Sequence, residues 1–372
     1  MICWQEMDCI ESYGENQVRY KIYHEPMYAN ECTAILKNIA NGDSIRSEME
    51  EALSKRGDSL RSVLETFYKT PLSIERHIKK QIRIDDSAVF LFEKWERAVA
   101  APIDAIYFYD MLLSGSIDNK AIPIVYAVTG NFPEEIWGIG DMEAGRPPPE
   151  IDDSTFFGII NNTNLAEDEK MKAMRLYYDF ASYCTSARTI LKQCQDVLQV
   201  EIKKHNKQIK SFMDSIEARI LAEGADFLKE SFNTSLGTDL FYQIYPGVYQ
   251  ANTLIVNVSG LFEPYIIIGL NAFQLRKTYD STESAQEKAA QFLKILSDDT
   301  KQTILQLLKS EPLYGSQLAE KLNCTAANIS HHMTALINLD VIYTIKKNNR
   351  IYFHLKKETI SKHFDAAKEL FL

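Results

Sequence analysis

The sequence "TAANISHHMTALINLDVIYTIKKNNRIYFHLKK", residues 325–357, changes its hydrophobic period part-way along. Its first half has the three- and four-residue apolar spacing of one helix face, at Ile329, Met333, Leu336 and Ile337. Thr325 stands where an N-cap would begin that helix. After Asp340 come two strand-like runs, "VIYTIKK" and "RIYFHLK", separated by a polar turn. The pattern predicts a helix followed by a β-hairpin.

Further amphipathic segments flank this stretch. Residues 284–296 and 297–311 each show a helical apolar period, and Ser297 is a candidate N-cap for the second. The segment "YGSQLAEKL", residues 314–322, predicts a short helix, and residues 358–371 predict a last one. A helix, a tight turn, a helix and a hairpin in this order are typical of a winged helix-turn-helix. We assign this domain to residues 285–372.

The predicted helix places short polar side chains opposite its apolar face. Short side chains approach base edges and phosphates closely, and a basic hairpin tip can meet the backbone or the minor groove. We therefore name ten candidate DNA contacts: Ser316, Thr325, Asn328, Ser330, His331, Thr334, Lys346, Lys347, Arg350 and Tyr352.

Two groups of residues match a known pattern: Thr325, Ile329, Ser330, His332 and Met333, and then Arg350, Tyr352, Phe353 and Leu355. They correspond to the recognition helix "S-x-x-x-V/I-S-x-H-L/M" and the second wing strand "R-x-Y-Y/F-x-L" of the ArsR-type winged helix regulators. The C-terminal region, about a fifth of the chain, resembles that family. The resemblance implies a transcription regulator that binds double-stranded DNA.

Two departures from the family pattern bear on metals and on the operator. Family metal sensors often use a cysteine pair before the recognition helix, or carboxylates and histidines on the last helix. Residues 311–322 contain no cysteine, and His363 and Asp365 are two residues apart on a helix, so they face different sides. We expect no metal and no cofactor. Ala326 and Ala327 replace polar residues common in the family, which predicts few direct base contacts.

The neighbouring His331 and His332 also argue against a metal site. Adjacent residues on a helix point about 100° apart, whereas two ligands on one helix usually stand four residues apart. We expect His331 to face DNA and His332 to pack partly against the turn. The alternative, in which both rings only cover the core, stays open.

The composition is that of an ordinary globular protein, and its charge is unevenly distributed. Residues 285–372 hold 12 Lys and Arg against 9 Asp and Glu, a net of +3, whereas residues 1–284 have a net of −13. An acidic body with a basic end is compatible with a DNA-binding domain fused to a different one. The six scattered cysteines predict reduced thiols, and we expect a cytoplasmic protein with no membrane partner.

The first 280 residues are predicted to form a sensor or dimerisation domain that is mostly helical. Helix breaks are expected at Gly42, Gly57, Pro71 and residues 100–104. Alternating patterns predict strands near residues 16–24 and 240–272, the second group as three short antiparallel strands. The predicted fold class is mainly α with small β elements, an α+β fold with a C-terminal winged helix.

Residues 166–231 contain no proline and, before Gly224, no glycine, which predicts one very long helix or a helical hairpin. Its apolar face, which runs from Tyr177 to Ile216, could pack on its own domain or form a coiled-coil dimer seam.

We predict a DNA-binding transcription regulator, acting as a repressor and as a homodimer. Its N-terminal domain would sense a small-molecule effector or a partner, or would supply the dimer contacts. No nucleotide-binding, hydrolase or metalloprotease motif is found, so we assign no catalytic residue and expect no enzyme. Two alternatives remain: an enzyme with an appended winged helix, and a winged helix that docks protein.

Overall fold

The structure is a computed structural model. It describes residues 18–56, 60–84, 86–98, 100–106, 119–129, 151–238, 240–257, 263–282, 285–322, 324, 326–347 and 350–371. Buried apolar side chains form two large clusters, one drawn from residues 18–275 and the other from residues 292–342. The predicted class, mainly α with small β elements, is confirmed.

The first helices follow a short strand, β1 (Arg19–Ile22). They are α1 (Tyr28–Ala40), α2 (Ile45–Arg56), α3 (Arg61–Gln81), α4 (Asp86–Phe92), α5 (102–106) and α6 (Ala121–Thr129). The break at Gly42 is confirmed, since Gly42 lies between α1 and α2 with a φ of +70°. Gly57 lies outside the described residues.

The break expected at Pro71 is wrong, because α3 continues through this residue. A proline inside a helix has no N–H for the carbonyl four residues earlier, which here belongs to Phe67. That carbonyl instead accepts a hydrogen bond of 2.7 Å from Nδ2 of Asn271. A distant side chain thus replaces the missing backbone donor, and the apolar face of α3 keeps its continuity.

The second half of the N-terminal region is also helical. Its helices are α7 (Asp153–Asn161), α8 (Glu167–Tyr178), α9 (Phe180–Lys203), α10 (Asn206–Glu223), α11 (Lys229–Phe232) and α12 (Ala272–Thr282). A single helix over residues 166–231 is therefore wrong, because the chain leaves helical geometry at Asp179 and again between Lys203 and Asn206. Cys184, Leu198, Ile202 and Ile209, on the predicted apolar face, are buried in the core of the same chain.

Four strands form a mixed sheet in this region, in the order β1, β3 (Phe241–Gly247), β5 (Tyr265–Gly269), β4 (Leu254–Asn257). The predicted strands are present, but the antiparallel pairing expected for all three is wrong. β3 and β5 are parallel, and only β4 runs antiparallel to β5. Every residue of β5 is buried, so this most apolar strand takes a central position between two neighbours, whereas the half-buried β4 lies at the edge.

The loop after β3 is held by a buried carboxylate. Glu31 of α1 is fully buried and accepts hydrogen bonds from the backbone N–H groups of Val248 (2.8 Å), Tyr249 (2.7 Å) and Gln250 (3.3 Å). Burial, which outweighs these bonds, raises the pKa of Glu31 to about 7. The loop runs so close to β5 that a Cβ on Gly269 would overlap the carbonyl group of Ala251.

The C-terminal elements form the second cluster. They are α13 (Ala285–Leu296), α14 (Asp299–Ser310), β6 (Leu313–Tyr314), α15 (Gly315–Leu322), α16 (Ala326–Asn338), β7 (Ile342–Lys347), β8 (Arg350–Leu355) and α17 (Lys357–Phe371). The predicted helices and hairpin are thereby confirmed. Helix α13 packs along α17, where Phe292 contacts the rings of His363 and Phe364.

The second sheet contains one strand that the winged-helix pattern does not include. Its order is β2 (Thr234–Ser235), β7, β8, β6, and β2 pairs in parallel with Thr344 and Ile345 of β7. The N-terminal region thus supplies the outer strand of the wing sheet. Among the described residues, no helix combines the length and apolar character needed to cross a bilayer.

Candidate nucleic-acid interface

Helix α14 begins with a side-chain N-cap. Asp298, and not the predicted Ser297, is the N-cap, since its carboxylate accepts from the backbone N–H of Lys301 at 3.0 Å. The Lys301 ammonium group lies 2.6 Å from the same carboxylate. The side-chain bond to Lys301 and the backbone bond together lower the pKa of Asp298. Both the carboxylate and Lys301 are therefore engaged at the start of α14.

Helices α15 and α16 form the predicted helix-turn-helix. Ile329, Met333 and Leu336 are buried in the C-terminal cluster with Leu318 of α15, which confirms the predicted apolar face. Thr334 of α16 is exposed, as a surface contact residue would be. Thr325 lies outside the described residues, as do the side chains of Asn328, Ser330 and His331. The backbone of the last three lies in α16.

The hairpin after α16 is a wing. Strands β7 and β8 pair antiparallel over their full length, from Ile342 opposite Leu355 to Lys347 opposite Arg350. This register places Lys347 and Arg350 at the end of the hairpin where β7 is followed by β8. The side chains of Lys346, Lys347 and Arg350 lie outside the described residues.

The structure gives Tyr352 and Ser316 partly buried environments. Tyr352 lies in the middle of β8, and its ring contacts the ring of Tyr314 edge-on, with centroids 5.5 Å apart. Tyr314 belongs to β6, so this pair joins that edge strand of the sheet to the wing. Ser316 is the second residue of α15 and is half-buried. Neither residue is brought to the tip of the wing.

One basic residue near the wing is paired within the protein. Both carboxylate oxygens of Asp340 accept from Nζ of Lys356, at 2.9 and 2.7 Å, and Oδ2 also accepts from Thr359 at 3.2 Å. Asp340 has a φ of +59°, a left-handed conformation that aspartate tolerates better than most residues. Of the five basic residues between 325 and 357, Lys356 therefore already has a carboxylate partner.

The histidines occupy different environments. His332 is half-buried, and its ring lies near enough to Asp298 to contribute to the lowered pKa of that carboxyl group. His363 is buried, and its Nε2 donates to the carbonyl of Leu339 at 2.9 Å. Asp365 is exposed. Within the described part of the chain, no three His, Cys, Asp or Glu side chains gather as a metal site would require.

The arrangement of these elements agrees with the comparison to known proteins. Residues 298–344 match the family described as "Bacterial regulatory protein, arsR family". The transcriptional repressor SdpR of Bacillus subtilis (strain 168) is 37% identical over 62 residues, which make up 17% of this chain and 69% of the repressor. Through its C-terminal region, this chain belongs to the ArsR family.

The ArsR assignment confirms the resemblance seen in the sequence, and it makes the chain a DNA-binding transcription regulator. The family match begins at the α14 cap and ends in β7. It does not include Asn233, Thr234 and Ser235, which complete the wing sheet from outside the domain. Sequence reasoning missed these three residues because a two-residue strand has no measurable period.

Proposed function

We propose that this chain binds operator DNA as a homodimer and represses transcription in the cytoplasm. Helix α16 would enter the major groove, and the tip of the wing would contact the phosphate backbone or the minor groove. The observation that carries the proposal is the orientation of α16. Because Ile329, Met333 and Leu336 are buried, the face that carries Thr334 is directed to solvent.

The dimer part of the proposal rests on the α13–α17 pair. Phe364 of α17 is half-exposed, although it packs edge-on against the buried Phe292. A large aromatic side chain that stays exposed on a packed helix pair is suited to contact a second copy. A two-fold dimer would bind two half-sites roughly 10 base pairs apart or a multiple of this spacing.

The N-terminal region is proposed to sense a small molecule or a partner, and no enzymatic activity is assigned to it. Its buried carboxylates serve the structure. Glu31 binds three backbone amides, and Glu75 accepts from Ile45 N–H and from Lys79, both at 2.7 Å. An effector should raise the melting temperature of the full chain and change its DNA affinity. A metabolite panel in which one compound is turned over would instead support an enzyme.

The central experiment is a fluorescence-anisotropy titration of the full chain with the DNA upstream of its own gene. If a dimer neutralises about 6 phosphates, the slope of log K against log salt should be near −5. The Thr334→Ala variant should change the preference among operator sequences. The Arg350→Ala variant should weaken binding to every sequence. No binding at low salt would contradict the proposal.

The control for Arg350→Ala is Arg83→Ala, which removes the same charge from an exposed position in the N-terminal region. It should leave DNA affinity unchanged, because Arg83 lies outside the interface. Charge reversal at Lys346, Lys347 and Arg350 separates the proposal from a protein-docking wing. DNA affinity should then be lost, and unchanged affinity for a natural partner would favour docking to protein.

A further inference from the structure

The segment Asn233–Ser235 joins the N-terminal region to the wing at a point far from the covalent connection. The main-chain N–H of Thr344 donates to the carbonyl of Asn233 at 3.2 Å, and Nδ2 of Asn233 donates to the carbonyl of Ile342. The hydroxyls of Thr234 and Thr344 are 3.2 Å apart. These contacts close a loop of more than a hundred residues, so they depend on the folded N-terminal region.

The conformation of Asn233 is adapted to this joint. The residue is buried and has a φ of +56°, in the left-handed region that asparagine tolerates better than most side chains. It ends helix α11, and its own N–H donates to the carbonyl of Lys229 at 2.9 Å. Its amide side chain and its carbonyl are thereby both directed toward β7.

The other side of the segment is fixed to the N-terminal core. The Ser235 hydroxyl donates to Asp226 at 2.5 Å, and the Leu236 N–H donates to the carbonyl of Ala225 at 2.8 Å. Leu236 is buried in the large apolar cluster. Residues 225 and 226 form the turn that ends α10. A displacement of α10 would therefore move β2, and with it the outer edge of the wing.

The joint lies directly before the basic tip of the wing. Thr344 and Ile345 pair with β2, and Lys346 and Lys347 follow in the same strand. An unpaired edge strand would leave the hairpin freer to bend and twist. Fixing a binding element in its bound orientation increases affinity, because less freedom is lost on binding.

We propose that Asn233 and Thr234 are positioning residues for DNA binding. Through the pairing of β2 with β7, the N-terminal region holds the wing in the orientation that α16 requires on the duplex. A change in the N-terminal region that withdraws β2 lowers DNA affinity. This inference rests on the proposed operator binding and names the route by which the N-terminal region regulates it.

The test uses the full-length double variant Asn233→Gly/Thr344→Val. Glycine keeps the left-handed backbone without strain and removes the amide donor, and valine keeps the β-branched shape and removes the hydroxyl. The matched control is Asn41→Gly/Thr163→Val. Asn41 ends α1 and donates to the carbonyl of Phe92 at 2.9 Å, and the Thr163 hydroxyl donates to the carbonyl of Ile160 at 2.7 Å, so the control loses the same groups within the N-terminal region, away from the joint and from the DNA-binding domain.

Two measurements decide the proposal. Amide hydrogen exchange in residues 342–345 should be roughly tenfold faster in the test variant and unchanged in the control. The dissociation constant for operator DNA should increase roughly tenfold in the test variant only. Unchanged exchange, or equal or tighter DNA binding, overturns the proposal. If the wild-type chain binds no DNA, the proposed function fails, and the exchange experiment still decides whether β2 fixes the wing.

A cross-link tests the geometry independently. In Thr234→Cys/Thr344→Cys, oxidised glutathione should convert the two new thiols into a disulfide with each other. The oxidised glutathione is itself reduced to two molecules of glutathione. The oxidised variant should keep wild-type DNA affinity, because the pairing is locked in place. If the folded double-cysteine variant forms no cross-link, or if its DNA affinity falls when the cross-link forms, the proposed pairing of β2 with β7 is wrong.

Discussion

The Nδ2 atom of Asn271 lies 2.7 Å from the carbonyl oxygen of Phe67. That carbonyl is the acceptor that Pro71 leaves without a backbone donor, since proline has no N–H. Asn271 lies just before α12 and is 204 residues from Phe67 in the sequence. The continuity of α3 therefore depends on a long-range contact. An unsatisfied carbonyl in a helix interior costs about 1–3 kcal/mol.

We therefore expect Asn271→Ala to destabilise the protein by about 1–3 kcal/mol, measured by urea unfolding. The same substitution should cost less in a Pro71→Ala background. There the N–H of residue 71 can donate to the carbonyl of Phe67. A double-mutant cycle should give a coupling energy well above the usual additivity error of about 0.5 kcal/mol. Additive effects would show that Asn271 stabilises the fold in some other way.

The buried carboxyl of Glu31 should make stability depend on pH. Its pKa is raised from 4.5 to about 7 in the folded protein, with burial as the largest cause. The folded state therefore binds the proton more tightly than the unfolded state does. The stabilisation is fully present below about pH 4.5 and is lost as the pH rises through about 7.

The measurement compares the wild-type protein with Glu31→Gln between pH 4.5 and 8. The free energy of unfolding of the wild type should fall relative to the variant, by up to about 3 kcal/mol. Glutamine cannot titrate, so the difference isolates this group from the other carboxylates. If the free energy of unfolding of the wild type instead rises with pH relative to the variant, the three amide hydrogen bonds outweigh burial.

Two glycines should respond in opposite ways to substitution by alanine, since one is required by a close backbone contact and the other only lowers helix propensity. Gly269→Ala should destabilise the protein by several kcal/mol, because its Cβ would overlap the backbone carbonyl of Ala251, which cannot move aside easily. Gly158 lies inside α7, and a Cβ there would meet nothing within 4 Å. Gly158→Ala should stabilise the protein by about 0.5–1 kcal/mol. Thermal unfolding of both variants checks the contrast.

The ion pair between Asp340 and Lys356 predicts which basic residues contribute to the salt dependence of DNA binding. Lys356→Gln should leave the slope of log K against log salt unchanged, because its ammonium already contacts a carboxylate. Arg350→Ala should make the slope shallower by about 2 if each protomer of a dimer loses one phosphate contact. Anisotropy titrations at four salt concentrations distinguish the two. An equal change in both variants would refute the distinction.

The winged helix could be predicted from the sequence because the patterns that indicate it lie within short stretches of the chain. Ile329, Met333 and Leu336 follow the helical period, and the runs on either side of residues 348–349 alternate as strands do. The pairing partners and caps depend on distance in space. Nothing in the local sequence indicates that Lys356 meets Asp340, or that Asp298 caps α14 in place of Ser297.

The N-terminal region shows where local patterns stop. The strands at 241–247 and 265–269 were predicted in place, but their parallel arrangement depends on how β5 buries both faces. The helix end predicted at Pro71 is wrong, since the donor that compensates for its missing N–H, Asn271, is remote in sequence. The candidate contacts Ser330, His331 and Arg350 remain predictions, because their side chains lie outside the described residues.

Strand β2 also bears on how the protein can be dissected. A fragment that begins at residue 285 would contain the whole helix-turn-helix and the hairpin, but it would leave the outer edge of β7 without its partner. Exposed strand edges pair with other chains, so such a fragment would be prone to self-association. The oligomeric state and DNA affinity measured for the fragment would then reflect its exposed β7 edge. The natural assembly has to be measured on the full-length protein.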